Sequence, residues 1–169
     1  MNTGTGPGQP VPYSRVMRRE SASGRVLALD FGKRRIGLAI SDPLGVTAQG
    51  LETLERTTVR RDLARLAELA RDKGVALILM GDPLHMSGRS SRQSERAREF
   101  AERLGRQTGL PVEFWDERLT TVEAQRVLRE GGLSSRKRAR AVDRLAAVLV
   151  LESYLQWRSL NDKDGSRPA

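Results

Sequence analysis

The stretch from Arg25 to Asp42, R-V-L-A-L-D-F-G-K-R-R-I-G-L-A-I-S-D, leaves few folds open to this chain. Val26 to Leu29 is a short apolar run, too brief for a helix and suited to a buried strand. It ends on a carboxylate, Asp30. A tight turn at Gly32-Lys33-Arg34 then sends the chain back as a second strand, Ile36 to Ile40. Gly32 suits the turn because glycine carries no penalty for positive φ, and Gly37 leaves room over the strand for a close approach. A carboxylate on a central strand is costly to bury unless a cation or hydrogen-bond donors compensate it. Asp30 is therefore either a structural acid paired with Arg34 or Arg35, or a metal ligand. This stretch alone leaves both open.

The remaining chain alternates strand and helix signals. Val46 to Leu54 reads as a weakly patterned third strand. Val59, Leu63, Leu66, Ala67 and Ala70 form a helical stripe over Thr57 to Arg71, closed by Gly74. Val75 to Met80 is continuously apolar, as in a strand covered on both faces. After the loop Gly81 to Gly88, residues Ala97, Phe100, Ala101 and Leu104 mark a helix that stops between Gly105 and Gly109. Pro111 to Trp115 is a fifth strand running into Asp116 and Glu117. Thr120 and Glu123 predict a capping box for a helix through Glu130, ended by Gly131-Gly132. Residues 134–140 read as a basic linker, and Ala141 to Trp157 as a buried helix, apolar nearly all round. The pattern predicts an α/β sheet with helices on both faces. The domain runs from 25 to 158, between a Gly/Pro-rich basic tail (1–24) and a polar C-terminal tail (159–169).

Composition narrows the chemistry. The absence of cysteine among 169 residues excludes thiolate metal sites and cysteine nucleophiles, and a single histidine, His85, excludes His-rich zinc sites. No apolar run is long enough to span a bilayer, and no hydrophobic signal core opens the chain, so a soluble cytoplasmic protein with no membrane contact is expected. Thirty Lys+Arg against 21 Asp+Glu give a net charge of +9, mostly from arginine, which favours a polyanionic partner.

Three acids fall where water is scarce. Asp30 closes the first strand, Glu117 follows the fifth, and Asp143 lies in the first turn of the buried helix, on the face of Ala146, Ala147 and Val150. Carboxylates converging without basic partners repel one another, and a divalent cation resolves the conflict. Mg²⁺ and Mn²⁺ prefer such hard oxygen donors, and two ions about 4 Å apart can drive phosphodiester hydrolysis. The competing reading gives each acid its own arginine: Arg35, Arg118 and Arg144. In the Pro-Leu-His-Met loop, His85 is a candidate general base or substrate contact. Trp115 and Trp157 read as packing residues. Tyr154, Leu155 and Trp157 serve either as an interface or as core.

At this point the chain resembles a known family. L-D-F-G-K-R-R-I-G-L-A-I-S-D, G-D-P-L-H-M-S-G, D-E-R-L-T-T-V-E-A and V-D-R-L-A-A-V-L-V-L-E-S-Y-L are similar, in order and spacing, to the motifs of the bacterial YqgF/RuvX family. Its members are described as Holliday junction resolvases and as nucleases maturing the 5′ end of pre-16S rRNA. The resemblance covers about residues 25–157. It implies an RNase H-like fold with a five-stranded mixed sheet in the order 3-2-1-4-5, and it places the family's acids on Asp30, Glu117 and Asp143. The family's loop motif usually reads G-L-P-L-N-x-D-G. Here Asp82, His85 and Ser87 replace Leu, Asn and Asp, which puts that loop's substrate contacts in question and adds Asp82 as an acid near the site.

The expectation is thus a Mg²⁺- or Mn²⁺-dependent endonuclease acting on a DNA four-way junction or on RNA, as a homodimer if it cuts junctions. Asp30, Glu117 and Asp143 would hold the metal. Lys33, Arg34, Arg35, Arg118, Arg136, Lys137, Arg138 and Arg140 would hold the nucleic-acid backbone. Two alternatives stand beside it: a basic nucleic-acid-binding module whose acids are structural, and an actin-like or sugar-kinase-like ATPase. The ATPase needs a second phosphate-binding hairpin and a second domain, for which the chain has no room.

Overall fold

The computed structural model describes residues 24–81, 91–115 and 135–165. Its elements are β1 (Arg25–Phe31), β2 (Arg35–Ser41), β3 (Ala48–Gly50), β4 (Leu54–Glu55), α1 (Val59–Asp72), β5 (Val75–Gly81), α2 (Ser91–Thr108), β6 (Val112–Trp115) and α3 (Ser135–Gly165). The sheet has six strands, with the path β3-β2-β1-β5-β6 and β4 joined to β2. β1 pairs antiparallel with β2 and parallel with β5, so the sheet is mixed. This is the expected α/β order with one difference. The predicted third strand is two short pieces, Ala48–Gly50 and Leu54–Glu55, both along β2. The segment carries too few apolar residues to hold a continuous edge.

Alternation along the strands sorts the core into two layers. Leu27, Leu29, Phe31, Ile36, Leu38 and Ile40 point to the side covered by α1 and α2. Val26, Ala28, Ala39, Leu77 and Leu79 point to α3. β1 and β5 are buried on both faces, which is why they read as unbroken apolar runs. Thr58 caps α1 in extended geometry and accepts a hydrogen bond from Arg61 N at 3.2 Å; Gly74, at φ +66°, turns the chain out of it.

α3 departs from expectation in two ways. It starts at Ser135, so the basic segment 135–140 is helical and Asp143 lies well inside the helix. It also buries one stripe only: Ala146, Ala147, Val150, Leu151, Tyr154 and Leu155 meet the sheet, while Arg144, Glu152 and Gln156 face water. Each fully buried aliphatic of that stripe contributes about 1.5–3 kcal/mol, so replacing Leu151 by a charged residue would undock the helix. Tyr154 and Leu155 are core. Trp115 packs edge-on against Tyr154 at 5.2 Å and tilted against Trp157 at 5.4 Å, as the packing reading has it. Gly32 does not adopt positive φ. Its role is steric: a Cβ there would sit 2.6 Å from the Arg35 carbonyl, which accepts the Gly32 N–H at 2.9 Å to close the turn.

Candidate active site

Strand register and one glycine set the backbone of Asp143 beside the strand position that pairs with Asp30. Asp30 is an even-numbered position of β1, like Val26 and Ala28, so its side chain points to the α3 face, where it is only 7% exposed. Its partner across the antiparallel ladder is Gly37, with Cα atoms about 5 Å apart in such pairs. Over Gly37 lies the backbone of Asp143: a Cβ at position 37 would collide with the Asp143 carbonyl. One missing methyl group thus lets α3 settle onto β2, directly beside the strand acid. Ala146 and Ala147, both fully buried, keep the helix equally close one turn on.

Asp143 has a basic partner within the chain. Arg35 Nε donates to its Oδ2 at 2.8 Å, with both side chains partly shielded. Burial still outweighs the arginine, and the Asp143 carboxyl is raised above the ordinary 3.8. The pair belongs to a crossed quartet. Arg35 and Glu55 are cross-strand partners on β2 and β4. Arg140 and Asp143 are one helical turn apart on α3, and each strand residue pairs with the oppositely charged helix residue. The hydrogen bond from Arg140 holds the Glu55 carboxyl below its usual range, and Thr53 Oγ1 donates to the Arg140 carbonyl at 3.0 Å. These contacts explain why the basic segment is helix and not linker.

Lys33 and Arg34 are exposed at the tip of the β1–β2 turn, and Arg136 and Lys137 are exposed at the start of α3; Arg138 is half-buried. Arg35 and Arg140 are engaged with Asp143 and Glu55. Arg144 lays its aliphatic stem over Gly50. Asp82, His85, Glu117 and Arg118 lie outside the described residues. β6 ends at Trp115, in register with Gly81, and Glu117 follows two residues on.

Three participants escape a reading of the sequence. Arg56 stacks on Phe31 at 4.4 Å and donates Nη1 to the Gly32 carbonyl at 3.0 Å, fixing the turn from beneath. Asp62, fully buried, accepts from Arg56 Nε at 3.4 Å and from Thr57 N at 3.1 Å. Glu113 is a further buried acid, level with Leu79 on the α3 side of β6. Only the alternation of β6 hints at Glu113, and nothing local marks the other two.

Carboxylate oxygens such as those of Asp30 and Asp143 are the hard donors that Mg²⁺ or Mn²⁺ prefer, and Gly37 lets the α3 backbone approach the strand that pairs with Asp30. Among the described residues the two acids form no cluster of three; the third acid, Glu117, lies beyond them.

Solved structures share this arrangement of strands. RuvC of Thermus thermophilus in complex with Holliday junction substrate is 17% identical, with TM-score 0.53 over 80% of this chain and 96% of that one. Fowlpox virus resolvase, in complex with junction DNA, is 10% identical, with TM-score 0.51 over 79% and 98%. The sheet and its flanking helices are thus an RNase H-like fold. Among curated proteins, a Koribacter versatilis relative is 53% identical over 149 residues, spanning 88% of this chain and 97% of that protein. One from Symbiobacterium thermophilum is 46% identical over 135 residues, 80% and 94% of the two chains. Both are named "Putative pre-16S rRNA nuclease". The chain belongs to the RuvX family, described as Holliday junction resolvase, whose model matches residues 24–157.

Proposed function

We propose that this protein is a nuclease that hydrolyses phosphodiester bonds of structured nucleic acid at the Asp30–Asp143 site. The observation that carries the proposal is the stacking of Asp143 over Gly37, the ladder partner of Asp30. It brings the helix that carries Asp143 against the strand beside Asp30. Asp30, Asp143 and Glu117 hold Mg²⁺ or Mn²⁺, in one or two ions. When bound, the metal supplies Lewis acidity at the phosphoryl group and neutralises charge that builds there.

The chain's own residues do the rest. Lys33 and Arg34 at the turn tip, with Arg118, Arg136, Lys137 and Arg138, hold phosphates on either side of the cut and read shape more than sequence. Arg35 orients Asp143 and carries its charge before metal enters. Arg140, tied to Glu55, fixes α3 against the sheet edge. Asp82 and His85 are further candidate substrate contacts. The RuvX family description and the curated relatives' names point to a DNA four-way junction and to pre-16S rRNA as substrates. A junction offers two equivalent strands, so cutting it calls for a homodimer with two related sites; RNA processing does not.

The test is cleavage of a four-way DNA junction, a single-stranded RNA and a pre-rRNA fragment, each with Mg²⁺ and with Mn²⁺. Asp30→Asn, Glu117→Gln and Asp143→Asn should each abolish cutting while leaving binding largely intact. Full activity in any of the three removes that residue from the site. The Arg35–Asp143 pair favours a second reading, a binding module with structural acids. Titration with Mn²⁺ separates the two: no binding by wild type or by Asp30→Asn supports the module.

A further inference from the structure

Beside the turn that follows Asp30, a cleft opens on the opposite side of the sheet from α3. It measures about 640 Å³, runs between the β1–β2 turn and α2, and merges with a smaller hollow of about 270 Å³ that shares Phe31, Lys33, Arg56 and Arg96. We propose that this cleft is a second phosphate track, which takes the nucleic-acid backbone running on from the cut site over the tip of the turn. The inference rests on the nuclease reading for its substrate, and on the cleft's own chemistry for its location.

Charge is the first argument. Lys33, Arg34, Arg56, Arg96 and Arg103 line the cleft, against Glu55 and Glu99. Glu55 is engaged by Arg140 from outside it. Lys33, Arg34, Arg96 and Arg103 form no ion pair with another described residue. Four guanidinium and ammonium groups beside one glutamate leave a surface that repels itself until an anion fills it.

Shape is the second. Arg96 and Arg103 are seven residues apart on the exposed face of α2, hence about 10.5 Å apart along its axis. That matches about three steps of a duplex strand at ~3.4 Å each along the duplex axis. The spacing suits a polymer of phosphates, which we take as the occupant.

Construction is the third. Arg56 forms the floor and is held rigidly, with its plane over Phe31 at 4.4 Å, Nη1 on the Gly32 carbonyl and Nε on the fully buried Asp62. Phe31 and Phe100 pack at 4.6 Å beneath it. A buried carboxylate held by Thr57 and by this half-buried arginine fixes the guanidinium in place. Because Arg56 also grips Gly32, the floor is tied to the turn that presents Lys33 and Arg34. Those two residues sit between the faces and pass the strand from one to the other.

The test compares two double variants with equal loss of charge, in the full chain carrying Asp30→Asn so that nothing is cut. Arg96→Ala/Arg103→Ala empties the track; Arg98→Ala/Arg106→Ala removes two arginines of α2 outside it. Binding of a labelled four-way DNA junction is measured across a KCl series. The track variant should flatten the log–log salt dependence by about 1.8, from 0.9 per duplex phosphate neutralised, and the control by much less. An unchanged slope, or equal changes in both variants, overturns the proposal. So does competition by pyrophosphate as strong, per charge, as that of the polynucleotide, which would mark a small-anion site. Wild-type cleavage with Mg²⁺ is scored separately. Loss of slope with no cleavage of any substrate keeps the track and sinks the nuclease reading; cleavage with an unmoved slope does the reverse.

Discussion

Arg35 Nε lies 2.8 Å from Asp143 Oδ2, although 108 residues separate them in the chain. The arginine holds the carboxylate that the proposed divalent cation would take, so under that proposal the two would compete for one oxygen. Asp143 arrives at the site already ordered, with part of its charge offset.

Arg35→Gln should therefore lower stability without metal and increase the benefit of adding it. Losing a charge-assisted hydrogen bond at a half-buried site costs roughly 1.5–3 kcal/mol. Urea midpoints with and without Mg²⁺ check this: the variant should fall below wild type without metal and recover part of the difference when Mg²⁺ is added. Equal responses to Mg²⁺ in both proteins would show that arginine and metal do not share the carboxylate.

The pH dependence follows from the raised pKa of Asp143, caused first by burial and opposed by Arg35. A folded-state value above the ordinary 3.8 means the native state holds that proton more tightly than the unfolded chain. The stabilisation is complete below the unfolded value and is lost as pH rises through the folded one. Asp143→Asn lacks this loss. The Tm difference, variant minus wild type without metal, should thus increase from acid towards neutral pH; a flat difference would contradict the shift.

Gly37→Ala should be among the most damaging single-methyl changes in the chain. The added Cβ meets the backbone of Asp143, which has no rotamer by which to escape. Overpacking of this kind costs about 1–3 kcal/mol or more, and it moves α3 off β2. Denaturant midpoints and cleavage rate should fall together. Gly74→Ala, with open space around it, tests a purely conformational cost at positive φ and should leave the cleavage rate per folded molecule unchanged.

Replacing Arg136, Lys137 and Arg138 by alanine should weaken binding to all substrates alike. On duplex DNA the salt slope should fall by about 0.9 for each phosphate that is no longer neutralised. Arg140→Ala should behave differently, since its guanidinium is bound to Glu55: its effect should register mainly as undocking of α3, read from the urea midpoint.

What the sequence reveals and what it hides divide along physical lines. β1, β2 and β5 are visible because burial on both faces demands unbroken apolar runs, and the stripe of α1 because one face must meet the sheet. The start of α3 is not, since Ser135 to Arg140 carries no apolar stripe; that turn is held by Arg140 through Glu55 and Thr53, contacts that only the folded sheet edge supplies. Asp62 looks like an ordinary acid in the first turn of a helix, yet it is fully buried beneath Arg56. Asp30 and Asp143 are both readable as special, each from its own element. The approach of α3 over Gly37, and the pairing of Arg35 with Asp143, belong to the tertiary structure alone.

The docking of α3 over Gly37 also sets a clock. A ribosome adding about 5–20 residues per second needs roughly 5–20 s to extend the chain from Arg35 across the 108 residues to Asp143. Through that interval the strand acid exists without its helical partner. Under the proposed assignment of Asp143, the site would be complete only once α3 has seated on β2.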